Sequence, residues 1–297
     1  MIRVTDLWKT FGRCDALRGL SFEVPEGSAL ALIGANGAGK TTTIKILMNI
    51  YKPSRGMATV LGVDSTAISP RELAQIGYVS ENQEMPGRLT VGEYLDYLRP
   101  FYPRWDKSLE TLIRHQLLLP PDRKIKDLSH GMRMKMALAC ALPYRPRLLI
   151  LDEPFSGLDP LVRDEFMEGL LQQAGEMTIL ISSHDLAEID GVATHVTFLD
   201  QGRLLFEERM EELMDRFREV RVTLEQKQCA PEKPPTSWLQ MRAAGNVITF
   251  VDTRFSEEDL GDRVRGLFAG VRTIEAEPMT LRSIFTTLAR SARNAVG

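Results

Sequence analysis

The nine residues Gly34-Ala-Asn-Gly-Ala-Gly-Lys-Thr-Thr42 constrain this chain more than any other stretch, because they satisfy the complete phosphate-loop pattern G-x-x-x-x-G-K-[ST]. The pattern works between a strand and a helix, and both are written beside it. The apolar run Ala29 to Ile33 predicts a buried strand, and Thr42 to Met48 predicts the helix that leaves the loop. Gly34, Gly37 and Gly39 let the backbone turn its N–H groups inward onto phosphate oxygens, and the helix N-terminus adds partial positive charge at the same place. Lys40 is then expected to reach the β- and γ-phosphates of a nucleoside triphosphate. The Thr41 hydroxyl is placed to ligate a bridging Mg²⁺. A glycine-rich turn with an incidental lysine would lack the flanking strand and helix.

Carboxylates are the next requirement, and Leu148-Leu-Ile-Leu-Asp-Glu-Pro154 delivers two of them at the end of a buried strand. Asp152 is suited to hold Mg²⁺ through water. Glu153, one residue nearer the γ-phosphate, is suited to polarise the attacking water. Thr178 to Ser182 reads as another buried strand that ends at Ser183-His184-Asp185. If the two strands are neighbours, His184 reaches the same sheet edge and contacts the γ-phosphate, where a lone histidine would otherwise be structural. Ser129 is a good N-cap residue for a helix of about three turns that stops at Pro143, and the first turn of that helix is a second anion site. Trp8 and Phe11 lie upstream of the loop. Either offers a π-face to a nucleotide base; for Phe11 stacking and packing stand level, and for Trp8 packing is the favoured reading.

A length of 297 residues with 43% apolar content supports a packed core in one large or two modest domains. Basic residues number 37 against 40 acidic, so no global field draws in nucleic acid or an anionic membrane surface. Cys14, Cys140 and Cys229 are widely spaced and odd in number, which predicts free thiols in a reducing compartment. His115, His130, His184 and His195 show no metal-ligand spacing. The N-terminus lacks a signal-peptide profile, and no apolar run approaches the roughly 18 to 20 residues of a membrane helix. The expectation is a cytoplasmic chain whose membrane work, if any, passes through a partner.

Taken in order, Ile2 to Leu7 and Leu17 to Val24 predict a small antiparallel sheet, and Thr59 to Val63 and Ile76 to Ser80 predict further strands. From about 84 to 145 the apolar spacing turns helical, as an insertion between two strands of the core sheet. His195 to Leu199 and Arg203 to Phe206 flank the turn Asp200-Gln-Gly202 and close a first domain over residues 1–210. Residues 211–297 predict a small α+β domain: strands at Val220 to Leu224 and Val247 to Val251, then helices marked by Leu260, Val264, Leu267 and Phe268 and by Leu281, Ile284, Phe285 and Leu288. The predicted class is α/β, a phosphate-loop core with an N-terminal antiparallel β-subdomain and a helical insertion.

These motifs, in this order, resemble the nucleotide-binding domain of an ABC transporter, over roughly residues 1 to 210. The resemblance makes Gly34 to Thr42, Asn36 included, the Walker A motif and Leu148 to Glu153 the Walker B motif, with Glu153 as catalytic base beside Lys40 and His184. It makes Ser156 to Pro160 the D-loop, His184 the switch histidine and Phe11 the aromatic that stacks on adenine. Two positions depart from the family pattern. Leu128-Ser-His-Gly-Met132 stands where L-S-G-G-Q is expected, keeping phosphate contacts through Ser129 and Gly131. Glu81 stands where a Mg²⁺-ligating glutamine is expected, with Gln83 as the neighbouring alternative.

Both departures, and the run Glu277 to Phe285, are similar to ATPases of ABC-2 type exporters. The resemblance implies ATP and Mg²⁺ as ligands and a homodimer or pseudo-symmetric dimer that sandwiches ATP. It also implies an integral membrane permease subunit as partner and a peripheral position on the inner face of the cell membrane. Nucleic acid is not expected. The rival readings are a soluble ATPase of the same superfamily acting on nucleic acid or ribosomes, and a small-molecule kinase. The near-balanced charge weighs against the first, and Ser129-His-Gly-Met, which has no role in a kinase, against the second.

Overall fold

Strand β1 (Ile2–Phe11) buries Ile2, Val4 and Leu7 and pairs antiparallel with β2 (Cys14–Val24), the alternation expected of a sheet with one covered face. Both strands run further than their hydrophobic pattern. Gly12 at φ 58° closes the hairpin and Phe11 pairs with Cys14, which puts Phe11 at the tip. The computed structural model describes residues 1–175, 177–185, 188–189, 191–231 and 233–296, with the side chains of 174, 289 and 292–296 set aside. It divides into two units, Met1–Glu207 and Glu208–Gly297.

In the first unit, β3 (Ala29–Ile33) feeds the phosphate loop and α1 (Lys40–Leu47) leaves it. Next come β4 (Arg55–Val60) and β5 (Val63–Asp64), where a single strand over 59–63 is expected. Leu61 and Gly62 both take positive φ and turn the chain back on itself. Helix α2 (Pro70–Leu73) begins in a capping box made by Ser69 and Glu72, and β6 (Ile76–Ser80) follows. The helical insertion holds α3 (Val91–Leu98), α4 (Lys107–Gln116) and α5 (His130–Ala141). The chain then returns through β7 (Leu148–Asp152), α6 (Pro160–Ala174), β8 (Thr178–Ser183), β9 (His195–Asp200) and β10 (Arg203–Arg209).

Two sheets result. One has the order β2-β1-β4-β5, and the other β10-β9-β3-β8-β7-β6. In the larger sheet β3 lies between β8 and β9, and β7 between β6 and β8, all parallel. Every residue of β7 is buried, which is why Leu-Leu-Ile-Leu is uninterrupted. The strand neighbours place the C-terminal ends of β3, β7 and β8 at one edge, where ligands of open parallel sheets bind.

The second unit contains α7 (Met210–Arg216), β11 (Arg218–Leu224), β12 (Trp238–Ala244), β13 (Val247–Asp252), α8 (Glu257–Arg265), β14 (Val271–Pro278) and α9 (Leu281–Val296). Its sheet, β12-β13-β11-β14, is antiparallel and covers one apolar face holding Val220, Val222, Ile248 and Phe250. Sequence patterning finds only the two central strands. The edge strands β12 and β14 carry Gln240, Arg242, Arg272, Glu275 and Glu277, which break the apolar alternation. Leu267 and Phe268 lie beyond the end of α8, although Phe268 is still buried.

Candidate active site

The phosphate loop opens on a cavity of about 650 Å³ whose wall includes Asn36, Gly37, Gly39, Lys40, Thr41 and Thr42. Gly39 has φ 108°, and a Cβ there would stand 2.6 Å from Leu17 Cδ2, so the loop meets α1 in a conformation that requires glycine. Lys40 is buried, and its ammonium donates to the carbonyls of Gly34 at 2.5 Å and Ala35 at 3.2 Å.

Three strand ends bring the carboxylates to the same place. Asp152, buried at the end of β7, accepts from Thr41 Oγ1 at 3.1 Å and from Ser182 Oγ at 2.8 Å with a single oxygen. Burial holds its carboxyl above the usual aspartate range, against the two hydroxyl donors that lower it. Glu153 takes φ 52°, a left-handed conformation uncommon for a non-glycine residue, as the strand turns sharply at its end. One of its oxygens lies 2.9 Å from Lys40 Nζ and the other 2.7 Å from His184 Nδ1. The hydrogen bond to Glu153 raises the His184 pKa above its ordinary value, against partial burial. Lys40, Asp152, Glu153 and His184, drawn from three strand ends, therefore form one cluster. Ser182 is the member that sequence reasoning passed over: besides Asp152 it binds the Glu153 amide, whose N–H donates to Ser182 Oγ at 3.0 Å. A hydroxyl closing an apolar strand was the available signal.

Phe11 is 43% exposed and lines the same cavity, edge-on to Tyr51 with ring centroids 5.3 Å apart. Trp8 is half-buried, and its indole N–H donates to Asp6 at 2.8 Å. The structure therefore puts Phe11, and not Trp8, at the mouth. Glu81 also lines the cavity, its carboxylate accepting from Ser156 Oγ at 2.8 Å. Gln83 instead faces a neighbouring cavity of about 560 Å³, shared with Met85, Lys126 and His130.

Ser129 and Gly131 do not line the cavity at the phosphate loop of their own chain. Ser129 is exposed and caps α5 by accepting from the Met132 N–H at 3.2 Å. Gly131 packs against α6, where a Cβ would come within 2.7 Å of Val162 Cγ1, so close helix packing alone already calls for glycine. Among the described residues no helix is long and apolar enough to cross a membrane. The cysteines Cys14, Cys140 and Cys229 are free.

The chain's likeness to known proteins agrees with this geometry. The ABC transporter family model matches residues 17–156. The lantibiotic transport ATP-binding protein SrtF of Streptococcus pyogenes is 31% identical over 223 residues, spanning 72% of this chain and 96% of SrtF. The ABC transporter ATP-binding protein YhaQ of Bacillus subtilis (strain 168) is 28% identical over 301 residues, 96% of this chain and 97% of YhaQ. Among solved structures, an ATP-binding subunit of an ABC transporter superposes with a TM-score of 0.66 at 28% identity, covering 72% of this chain and 92% of that one. With a phosphate loop, a carboxylate strand and a histidine meeting at one sheet edge, the chain belongs to the ABC transporter family, as an ATP-binding and ATP-hydrolysing subunit.

Proposed function

We propose that this subunit powers an ABC-2 type exporter, acting on a separate integral membrane permease from the cytoplasmic face, as one half of an ATPase dimer. The convergence of Lys40 and His184 on the Glu153 carboxylate, with Lys40 and Glu153 on the cavity wall, carries the reading of the site. Support for export comes from the sequence departures at Glu81 and in Ser129-His-Gly-Met132, and from SrtF, whose name records lantibiotic transport.

The residues suit a hard cation. Thr41 Oγ1 and Asp152 Oδ1 meet at 3.1 Å at the start of α1, and oxygen donors with one carboxylate match Mg²⁺ chemistry. Thr41 and Asp152 would hold the ion, with Glu81 as a third oxygen donor on the same cavity. Bound there, Mg²⁺ would neutralise charge on the β- and γ-phosphates. In this reading Lys40 releases Glu153 and takes up phosphate oxygens, while the loop N–H groups cradle the rest of the chain of phosphates. Glu153, freed from Lys40, orients the attacking water and accepts its proton. His184 donates to the Glu153 carboxylate or to the γ-phosphate and fixes the direction in which that carboxylate faces. Phe11 stacks on the base.

Ser129 and the Gly131 amide would meet the phosphates of a second subunit, which is consistent with their absence from the wall of their own nucleotide cavity. The cavity beside Gln83 and Met85 would take the motion of the helical insertion to the permease. The test is affinity capture of the tagged chain from detergent-solubilised membranes. Recovery of an integral membrane protein in fixed ratio supports the reading, and recovery of ribosomes or nucleic acid in its place overturns it.

A further inference from the structure

Two of the positions at which this chain departs from the family pattern, His130 and Glu81, are joined through a single residue. His130 lies in the first turn of α5, and its Nε2–H donates to the Ser156 carbonyl at 2.9 Å. The Ser156 hydroxyl in turn donates to Glu81 Oε1 at 2.8 Å. The main chain ties the same residues to the carboxylate strand: the Ser156 N–H donates to the Glu153 carbonyl at 3.2 Å, and the Glu81 N–H to the Asp152 carbonyl at 3.1 Å. The imidazole also lies against Gly157, about 3.7 Å from where a Cβ would stand. The turn after Glu153 is thus gripped by His130 on one side and grips Glu81 on the other. Glu81 forms wall for both the nucleotide cavity and its neighbour, and His130 belongs to the second alone.

A glycine at position 130 offers no side-chain donor to Ser156. A carboxylate at 81 makes the Ser156 bond charge-assisted, hence stronger than a bond to an amide oxygen. The two substitutions therefore make chemical sense together: one adds a donor to the turn, and the other adds a stronger acceptor beyond it.

We propose that His130 is a positioning residue for the ATP site of its own subunit, acting through Ser156 to hold the Glu81 carboxylate at the nucleotide cavity. The start of α5 and the Glu81 side chain then move together, so a displacement of either is felt by the other. The proposal rests on the reading of Glu81 as part of the ATP site.

A double-mutant cycle on ATP turnover by the full chain tests it, using His130→Ala, Glu81→Ala and the pair. His130→Ala should lower kcat about 2- to 10-fold, the range of one hydrogen bond, while KM for ATP changes less than about 2-fold. In the Glu81→Ala background the same substitution should have no further effect. His130→Gln, whose amide N–H reaches the position of Nε2, should restore most of kcat, whereas the shorter His130→Asn should not. Equal factors in the two backgrounds, or a silent His130→Ala, overturn the proposal. A silent Glu81→Ala removes the reading of Glu81 and the proposal with it, and a damaging Glu81→Ala with additive His130→Ala removes the proposal alone. Circular dichroism of each variant separates misfolding from misalignment. Should the alanine variant not fold, the glutamine and asparagine pair carries the comparison.

Discussion

Replacing Glu153 by glutamine removes one negative charge from a cluster in which it faces both Lys40 and His184. The side chains of Lys40 and Glu153 are only 4% and 13% exposed, so water screens their contact weakly. The Lys40 ammonium stays charged in either protein, so an amide oxygen still accepts a charge-assisted bond from it, worth about 1.5 kcal/mol at the low end of the range against about 3 kcal/mol for the carboxylate. An incoming phosphate must take Lys40 from whatever holds it. Exchanging the carboxylate for an amide therefore lowers that cost by up to about 1.5 kcal/mol, at most roughly a tenfold gain in ATP affinity. Hydrolysis should move the other way, falling about 100- to 10,000-fold with loss of the positioned base. Calorimetric titration of MgATP into both proteins, with single-turnover phosphate release, reads the two effects separately. Unchanged or weaker ATP binding by Glu153→Gln would refute competition between carboxylate and phosphate for Lys40. Near-normal turnover would refute its role as base.

Asp152→Asn keeps an oxygen for Thr41 and Ser182 but removes the buried charge. Because burial raises the Asp152 pKa, its stabilising share is present below the unfolded value of about 3.9 and lost as pH rises through the folded value. The variant should melt higher than the parent at neutral pH by differential scanning calorimetry, with the gain shrinking toward pH 4, and should lose MgATP turnover. His184 should titrate by NMR above the ordinary histidine value of about 6.5, and in Glu153→Gln it should fall back toward it. The stability that this contact adds is complete below about pH 6.5 and lost as pH rises through the folded pKa, so a parent whose stability is flat across that window would count against it. A chain ending at Arg209 should bind ATP as the whole chain does. If it stays folded by circular dichroism but loses binding, the C-terminal unit contributes to the site.

The phosphate-loop strand and its carboxylate partners were legible because each motif carries its own context, an apolar strand with a polar end. Leu148 to Asp152 could hardly be anything other than a central parallel strand. Adjacency of β7 and β8 was a condition in the sequence reading, and the register Asp152 against Ser182 supplies it. What the pattern missed followed from weaker physics. Trp8 to Phe11 pass from half-buried to exposed along the tip of a hairpin, so burial left little alternation in their sequence. Strands β12 and β14 are edges with mixed polar residues. The bond from His130 to Ser156 links residues on α5 and on the turn after β7, and no local spacing could have shown it. Residues 186, 187 and 190, just after His184, lie outside the described residues.

Strand order also governs how this chain is made. Strand β3, with the phosphate loop behind it, is flanked by β8 and β9, so its pairing partners are residues 178–200. A ribosome adding about 5–20 residues per second takes on the order of 10 to 30 s to travel from Ile33 to Asp200. For that interval Ala29-Leu-Ala-Leu-Ile33 is an apolar segment without its final neighbours, while the helical insertion is being synthesised. Pairing across such a sequence separation is intrinsically slow, and the exposed strand is a template for association with other nascent chains. Synthesis of this subunit should therefore depend more on chaperone occupancy and translation speed before residue 200 than after it, and pausing near the C-terminus should be tolerated far better than pausing within residues 84–145.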